Sequence, residues 1–183
     1  MPGMAGKKER RGLILVHTGN GKGKTTAALG LAFRAMGYSM KVLMIQFLKG
    51  GWRPGEYRAA QRFEPNFQIM PMGQGFLWID AENQADRNQL LVTKAWQYGR
   101  QQVLEGGWDM VIFDEINYVI GYGLIPVSEV VDLLRRKPPL LHVVLTGRNA
   151  KDEIIALADT VTEMRPIKHA YEQGTAAQKG IEF

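Results

Sequence analysis

The chain has 183 residues and 45% hydrophobic composition, enough for one domain with a proper core but not for two large ones. It has no cysteine, which excludes disulfides, thiolate metal sites and cysteine nucleophiles, and no run near the roughly 20 apolar residues of a membrane span. The net charge of +5 fits nucleic acid or a small polyanion such as a nucleoside triphosphate, but its spread along the chain reads as a solvated surface, so neither nucleic acid nor membrane is expected as a partner.

In chain order, residues 1–11 form a basic arm with no apolar signal region after it, so a cytoplasmic protein is expected. Residues 12–183 read as a single α/β domain. Leu13–His17 is strand-like, and Thr25–Met36 is helical and stopped by Gly37. A strand follows at Val42–Phe47, then a glycine- and proline-containing loop at Lys49–Glu56. Tyr57–Phe63 reads as a short helix and Phe67–Met72 as a third strand. The longest helical pattern is Asn83–Glu105, with Leu90, Leu91, Ala95 and Tyr98 sharing a face. Met110–Phe113, Leu141–Leu145 and Val161–Met164 are further strands, with helices at Pro126–Arg135 and Lys151–Ala158.

Continuous apolar strands are covered on both faces, as in a parallel sheet. Strand–helix alternation then predicts an open, mostly parallel sheet with helices on both faces. Ligands of such sheets bind beyond the carboxyl ends of the strands.

One such end carries His17-Thr-Gly-Asn-Gly-Lys-Gly-Lys-Thr-Thr26, between a strand and a helix. Here Gly19, Asn20, Gly21, Lys22, Gly23, Lys24, Thr25 and Thr26 are candidate nucleotide-binding residues. Glycines let backbone N–H groups turn toward phosphate oxygens, and the helix N-terminus adds partial positive charge. Lys24 would reach a phosphate, and Thr25 would offer its hydroxyl to Mg²⁺. The pattern departs from a standard phosphate loop, because Thr18 stands where the first glycine belongs and Gly19 follows one residue late.

A second end carries Asp109-Met-Val-Ile-Phe-Asp-Glu115, an apolar strand closed by two carboxylates. One of Asp114 and Glu115 would serve a metal. They point to opposite sides if the strand is still extended there. Asp109 reads as a turn residue.

A third end is followed by Gly73-Gln-Gly-Phe-Leu-Trp78. Phe76 and Trp78 read either as packing or as a flat apolar wall for a large planar ligand. Arg148, after the strand ending near Thr146, reads either as a phosphate or ribose contact or as a surface arginine. The histidines are scattered and read as structural, and Trp96 and Trp108 as packing.

Taken as an ordered set, these segments resemble the ATP:cob(I)alamin (corrinoid) adenosyltransferases of the CobA type. The resemblance rests on His17–Thr26, Gln46–Gly50, Gly75–Trp78, Asp114-Glu115, Thr146–Arg148, Arg165–Ala170 and Ala177–Phe183. It implies a P-loop, RecA-like α/β fold and a homodimer. It implies transfer of the 5′-deoxyadenosyl group of ATP to a Co(I) corrinoid with release of triphosphate, ATP lying along the loop in a reversed sense. It implies Thr25 and Glu115 as Mg²⁺ contacts, with Asp114 as the alternative that the strand pattern alone supplies. Phe76 and Trp78 become a wedge that displaces the lower axial ligand of a Co(II) corrinoid, easing reduction by an external flavoprotein. The basic residues 7–11 would fold over the site. The competing readings are a P-loop ATPase or small-molecule kinase and a nucleotide-gated binding module.

Overall fold

Strands that are apolar at successive positions must be buried on both faces, and the sheet is built to do this. The computed structural model describes residues 10–50, 54–73 and 85–182. The strands are β1 (Ile14–Thr18), β2 (Val42–Gln46), β3 (Phe67–Pro71), β4 (Met110–Asp114), β5 (His142–Thr146) and β6 (Thr160–Glu163). They form one sheet in the order β3-β2-β4-β5-β1-β6, and every pairing is parallel. β2 and β4 are buried at all five positions. β6 is exposed throughout, as an edge strand with alternating polar residues should be.

Parallel neighbours need crossover connections, and helices supply most of them. α1 (Lys24–Met36) and α2 (Gly55–Ala60) cover one face. There Ala28, Ala32 and Ala35 form a helical stripe against Met44, Ile112 and Val144. α3 (Ala85–Glu105), α4 (Ile116–Gly121), α5 (Val127–Arg136) and α6 (Asp152–Ile155) cover the other. The expected open parallel sheet with helices on both faces is therefore the one formed, with β5 standing between β1 and β4.

Several expected elements change in detail. The buried stripe of α3 runs through Val92, Ala95, Trp96 and Val103, while Leu90 is exposed. Gly99 lies in that stripe because a Cβ there would come within 2.5 Å of the Phe113 ring. Trp96 and Trp108 pack as expected, and each satisfies its indole N–H, on Glu129 and Gln102 respectively. The helix expected over Lys151–Ala158 shortens to α6, and that over Tyr57–Phe63 splits into α2 and a 3₁₀ turn. α4 has no counterpart in the expected elements.

Asp109 ties strands together, accepting from the Lys41 N–H at 2.8 Å. His142 is structural too: its Nδ1 accepts from the Leu13 N–H at 3.1 Å. Burial, reinforced by Lys137 and Arg10, holds His142 below the ordinary imidazole value of 6.5. The unfolded chain therefore takes up this proton first as pH falls through 6.5, and the folded state loses stability. In His142→Asn the amide oxygen can take over the acceptor role without titrating. We expect the stability of wild type relative to this variant to fall between pH 7.5 and pH 5, as measured by urea denaturation at each pH. A constant difference would exclude the linkage.

Candidate active site

The loop after β1 is shaped by what it packs against. The Gly21 N–H donates to the Met164 carbonyl at 2.7 Å, and the Met164 N–H donates to the Thr18 carbonyl at 2.8 Å. A Cβ on Gly19 or Gly21 would approach the Met164 carbonyl oxygen to 2.4 or 2.8 Å. These glycines thus let the loop lie against the end of β6. Gly23 adopts φ +117° at the start of α1, and the first-turn N–H groups that follow have no intrahelical acceptor.

Lys24 is buried and folded over this loop. Its Nζ donates to the carbonyls of Gly19 at 2.9 Å and Gly21 at 2.8 Å. Burial lowers its pKa, Glu115 and Asp114 pull the value back up, and Arg148 pushes it down.

Asp114 lies beneath Thr25. Its Oδ1 accepts from Thr25 Oγ1 at 2.8 Å and from Thr146 Oγ1 at 2.9 Å. Its Oδ2 accepts from Gln46 Nε2 at 3.3 Å and lies 3.9 Å from Lys49 Nζ. Burial pushes this carboxyl above its usual range, opposed by the Lys49 charge and the three hydrogen bonds.

The condition under which Asp114 and Glu115 would point to opposite sides is not met, because the strand stops at Asp114. Glu115 is left-handed, with φ +64°, and its N–H donates to Thr146 Oγ1 at 2.8 Å. Strand alternation therefore does not apply to it, and its side chain reaches the cleft that Thr25 also lines. Burial, then the neighbouring Asp114 charge, pushes its carboxyl up to about 7. Its Oε2 is buried without a hydrogen-bond partner. Among the described residues no three His, Asp or Glu gather into a site of their own. The oxygen donors within reach are the Thr25 hydroxyl and these two carboxylates, a hard set that suits Mg²⁺ completed by phosphate oxygens and water.

The cleft beside them has a volume of about 580 Å³. Lys22, Gly23, Lys24, Thr25 and Thr26 line it from the loop and α1. Lys49 and Glu56 line it from beyond β2, Arg148 from beyond β5, and Gly180, Ile181 and Glu182 from a distant segment. Gly19, Asn20 and Gly21 are not in its wall, and Asp114 sits under it. Arg148 thus lines the cleft and is exposed at its surface. Its guanidinium lies 6.0 Å from the centre of the Tyr118 ring, and Asn117 Nδ2 donates to the Gly147 carbonyl at 3.2 Å. Phe76 and Trp78 lie outside the described residues.

Sequence reasoning gave no role to Gln46, Lys49, Glu56, Thr146 or the 180–182 segment. Lys49 donates to Glu56 Oε1 at 2.7 Å, and both residues line the cleft. Two signals were available: Gln46 closes a buried strand and Lys49 follows it, and the segments Gln46–Gly50, Thr146–Arg148 and Ala177–Phe183 carry the resemblance.

Residues 10–183 match the model of the family described as ATP:corrinoid adenosyltransferase BtuR/CobO/CobP. The chain belongs to that family. It is 41% identical over 180 residues to the corrinoid adenosyltransferase of Escherichia coli (strain K12), covering 98% of this chain and 90% of that one. The same figures hold for the corrinoid adenosyltransferase CobA of Salmonella typhimurium (strain LT2). A corrinoid adenosyltransferase from Sinorhizobium sp. is 42% identical over 182 residues, covering 98% and 84%. In this corrinoid adenosyltransferase family member, the matched region contains every residue of the cleft described above. No helix among the described residues is long and apolar enough to cross a membrane.

Proposed function

We propose that this chain transfers the 5′-deoxyadenosyl group of ATP to the Co(I) centre of a corrinoid, cobalamin or a precursor, and releases inorganic triphosphate. The observation that carries this reading is the family match across residues 10–183. The cleft supports it, because Lys24 and Arg148 line it beside a helix N-terminus, while Lys22 and Lys49 are paired with Glu182 and Glu56.

In this reaction the cobalt electron pair forms the bond to C5′ as the C5′–oxygen bond breaks. The departing pair stays on triphosphate. Lys24, Arg148 and the first-turn amides of α1 receive that growing charge. Thr25, Asp114 and Glu115 would hold Mg²⁺, which when bound neutralises phosphate charge. No proton has to be abstracted, so positioning and electrostatics are the protein's contribution.

We further infer that Phe76 and Trp78 form the wedge against the corrinoid, that the basic arm at residues 7–11 folds over the site, and that the enzyme works as a cytoplasmic homodimer supplied with electrons by an external flavoprotein. Trp78→Ala should lose far more activity when Co(II) must be reduced in the assay than when chemically prepared Co(I) is supplied. Equal losses in the two assays would remove the wedge.

The deciding experiment mixes protein, Mg-ATP and chemically reduced cobalamin. A photolabile carbon–cobalt product and intact triphosphate are expected. Release of ADP would replace this reading with phosphoryl transfer by an ATPase or kinase.

A further inference from the structure

Lys22 and Lys24 are two residues apart in the phosphate loop, yet they turn to different partners. Lys24 bonds to carbonyls of its own loop. Lys22 donates to the carbonyl of Ile181 at 2.7 Å, across 159 positions of sequence, and lies 3.7 Å from Glu182 Oε1.

The segment it meets has a defined shape. The N–H groups of Ile181 and Glu182 donate to the Gln178 carbonyl at 3.1 and 2.9 Å. The Gln178 N–H donates to Glu182 Oε2 at 2.7 Å. One carboxylate oxygen of Glu182 therefore organises its own turn, while the other faces Lys22. Gly180 has φ +80°, a conformation that suits glycine and closes the turn. Gly180, Ile181 and Glu182 then stand in the wall of the cleft that Lys24, Thr25 and Glu115 also line.

We propose that Lys22 is a positioning residue, not a phosphate ligand: it ties the 180–182 segment across the cleft, and that segment is a wall of the nucleoside-triphosphate site. The inference rests on the nucleotide reading of the cleft given above, and it revises the role that the loop pattern alone assigns to Lys22. The charge-assisted bond to the Ile181 carbonyl carries most of the tie. The ion pair with Glu182 is half open to solvent and adds less, with side-chain exposures of 39% and 27%. A segment held in place beforehand narrows the site without an ordering cost when nucleotide enters.

The direction of one substitution separates this from competition between the segment and phosphate. If Glu182 merely occupied Lys22 until triphosphate displaced it, its removal would tighten nucleotide binding. If it helps to hold a wall, removal weakens binding.

The test uses Lys22→Met, Glu182→Ala, the double variant and Lys22→Arg. Mg-ATP affinity is read by calorimetry, turnover with reduced cobalamin, and backbone amide exchange in nucleotide-free protein. Lys22→Met should raise the KM and Kd for ATP by about fivefold, the size expected of one lost bond of this kind, with kcat nearly unchanged. Glu182→Ala should raise them by about twofold. The double variant should be no worse than Lys22→Met, and Lys22→Arg should restore binding. Exchange of the Ile181 and Glu182 amides should accelerate in Lys22→Met without nucleotide.

Tighter ATP binding by Glu182→Ala would overturn the proposal. So would loss of kcat in Lys22→Met with unaltered exchange at residues 181 and 182. If wild-type protein bound no ATP at all, the functional reading would fall instead, and the exchange result would still decide whether Lys22 docks the segment.

Discussion

Lys24→Ala is expected to lower adenosyl transfer by at least about a hundredfold, the usual cost of deleting one preorganised donor to a transition-state charge. The Lys24 ammonium is held by the Gly19 and Gly21 carbonyls at 2.9 and 2.8 Å and is almost fully buried. Triphosphate entering the cleft offers it a far stronger acceptor than a neutral carbonyl. Its charge then matters most as the C5′–oxygen bond breaks, because the departing oxygen becomes more negative. Removing it should depress kcat and kcat/KM together, not KM alone. Lys24→Arg should not rescue, because a planar guanidinium cannot replace a compact ammonium seated between two carbonyls. The measurement is the single-turnover rate with chemically reduced cobalamin, with thermal unfolding as the control for folding. Normal turnover in Lys24→Ala would remove the phosphate grip from the mechanism.

Asp114→Asn should have a comparable effect on activity and a small effect on folding. Asp114 accepts hydrogen bonds from Thr25, Thr146 and Gln46. An asparagine oxygen can keep the two threonine hydroxyls. Its amide nitrogen would then face Gln46, whose Oε1 is buried without a partner. A rotation of the Gln46 amide turns that orphaned oxygen into the acceptor and gives up the long bond of its Nε2 to Glu56 Oε1 at 3.4 Å, so the neutral side chain is accommodated at small cost. What disappears is a negative charge that burial already disfavours, as the raised pKa of Asp114 records. We expect the thermal midpoint to hold or rise. Turnover should fall by about two orders of magnitude, and the Mg²⁺ concentration needed for half-maximal activity should increase. A variant with an unchanged Mg²⁺ requirement would show that Asp114 is purely structural. Glu115 and Thr25 would then have to hold the ion without it.

Both expectations draw on features written openly along the chain. The run from His17 to Thr26 advertises a phosphate loop, because glycine, lysine and threonine between strand and helix have few other uses. The apolar stretches now seen as β1, β2, β4 and β5 announce a parallel sheet, because only burial on both faces tolerates unbroken hydrophobicity. The carboxylates of Asp114 and Glu115 mark a strand end, and the rule that ligands gather at such ends places them beside the loop before any coordinates are known. Even Arg148 is placed in this way.

Residue types and local spacing thus pointed to the sheet, to a candidate phosphate loop and to the acidic pair, because those signals repeat over a few neighbouring positions. Tertiary structure alone decided the rest. It put Thr25 on Asp114, 89 positions away, and Lys22 on the carbonyl of Ile181, 159 positions away. It put Glu115 into a left-handed turn that sends its carboxylate to the cleft, with α4 starting just beyond. It made Gly19 and Gly21 necessary through their approach to Met164 beside β6. The physical reason is common to all four. Periodicity reports which face of an element is buried, whereas a hydrogen bond or close contact between distant elements depends on which strands become neighbours, and that order is settled only when the sheet assembles.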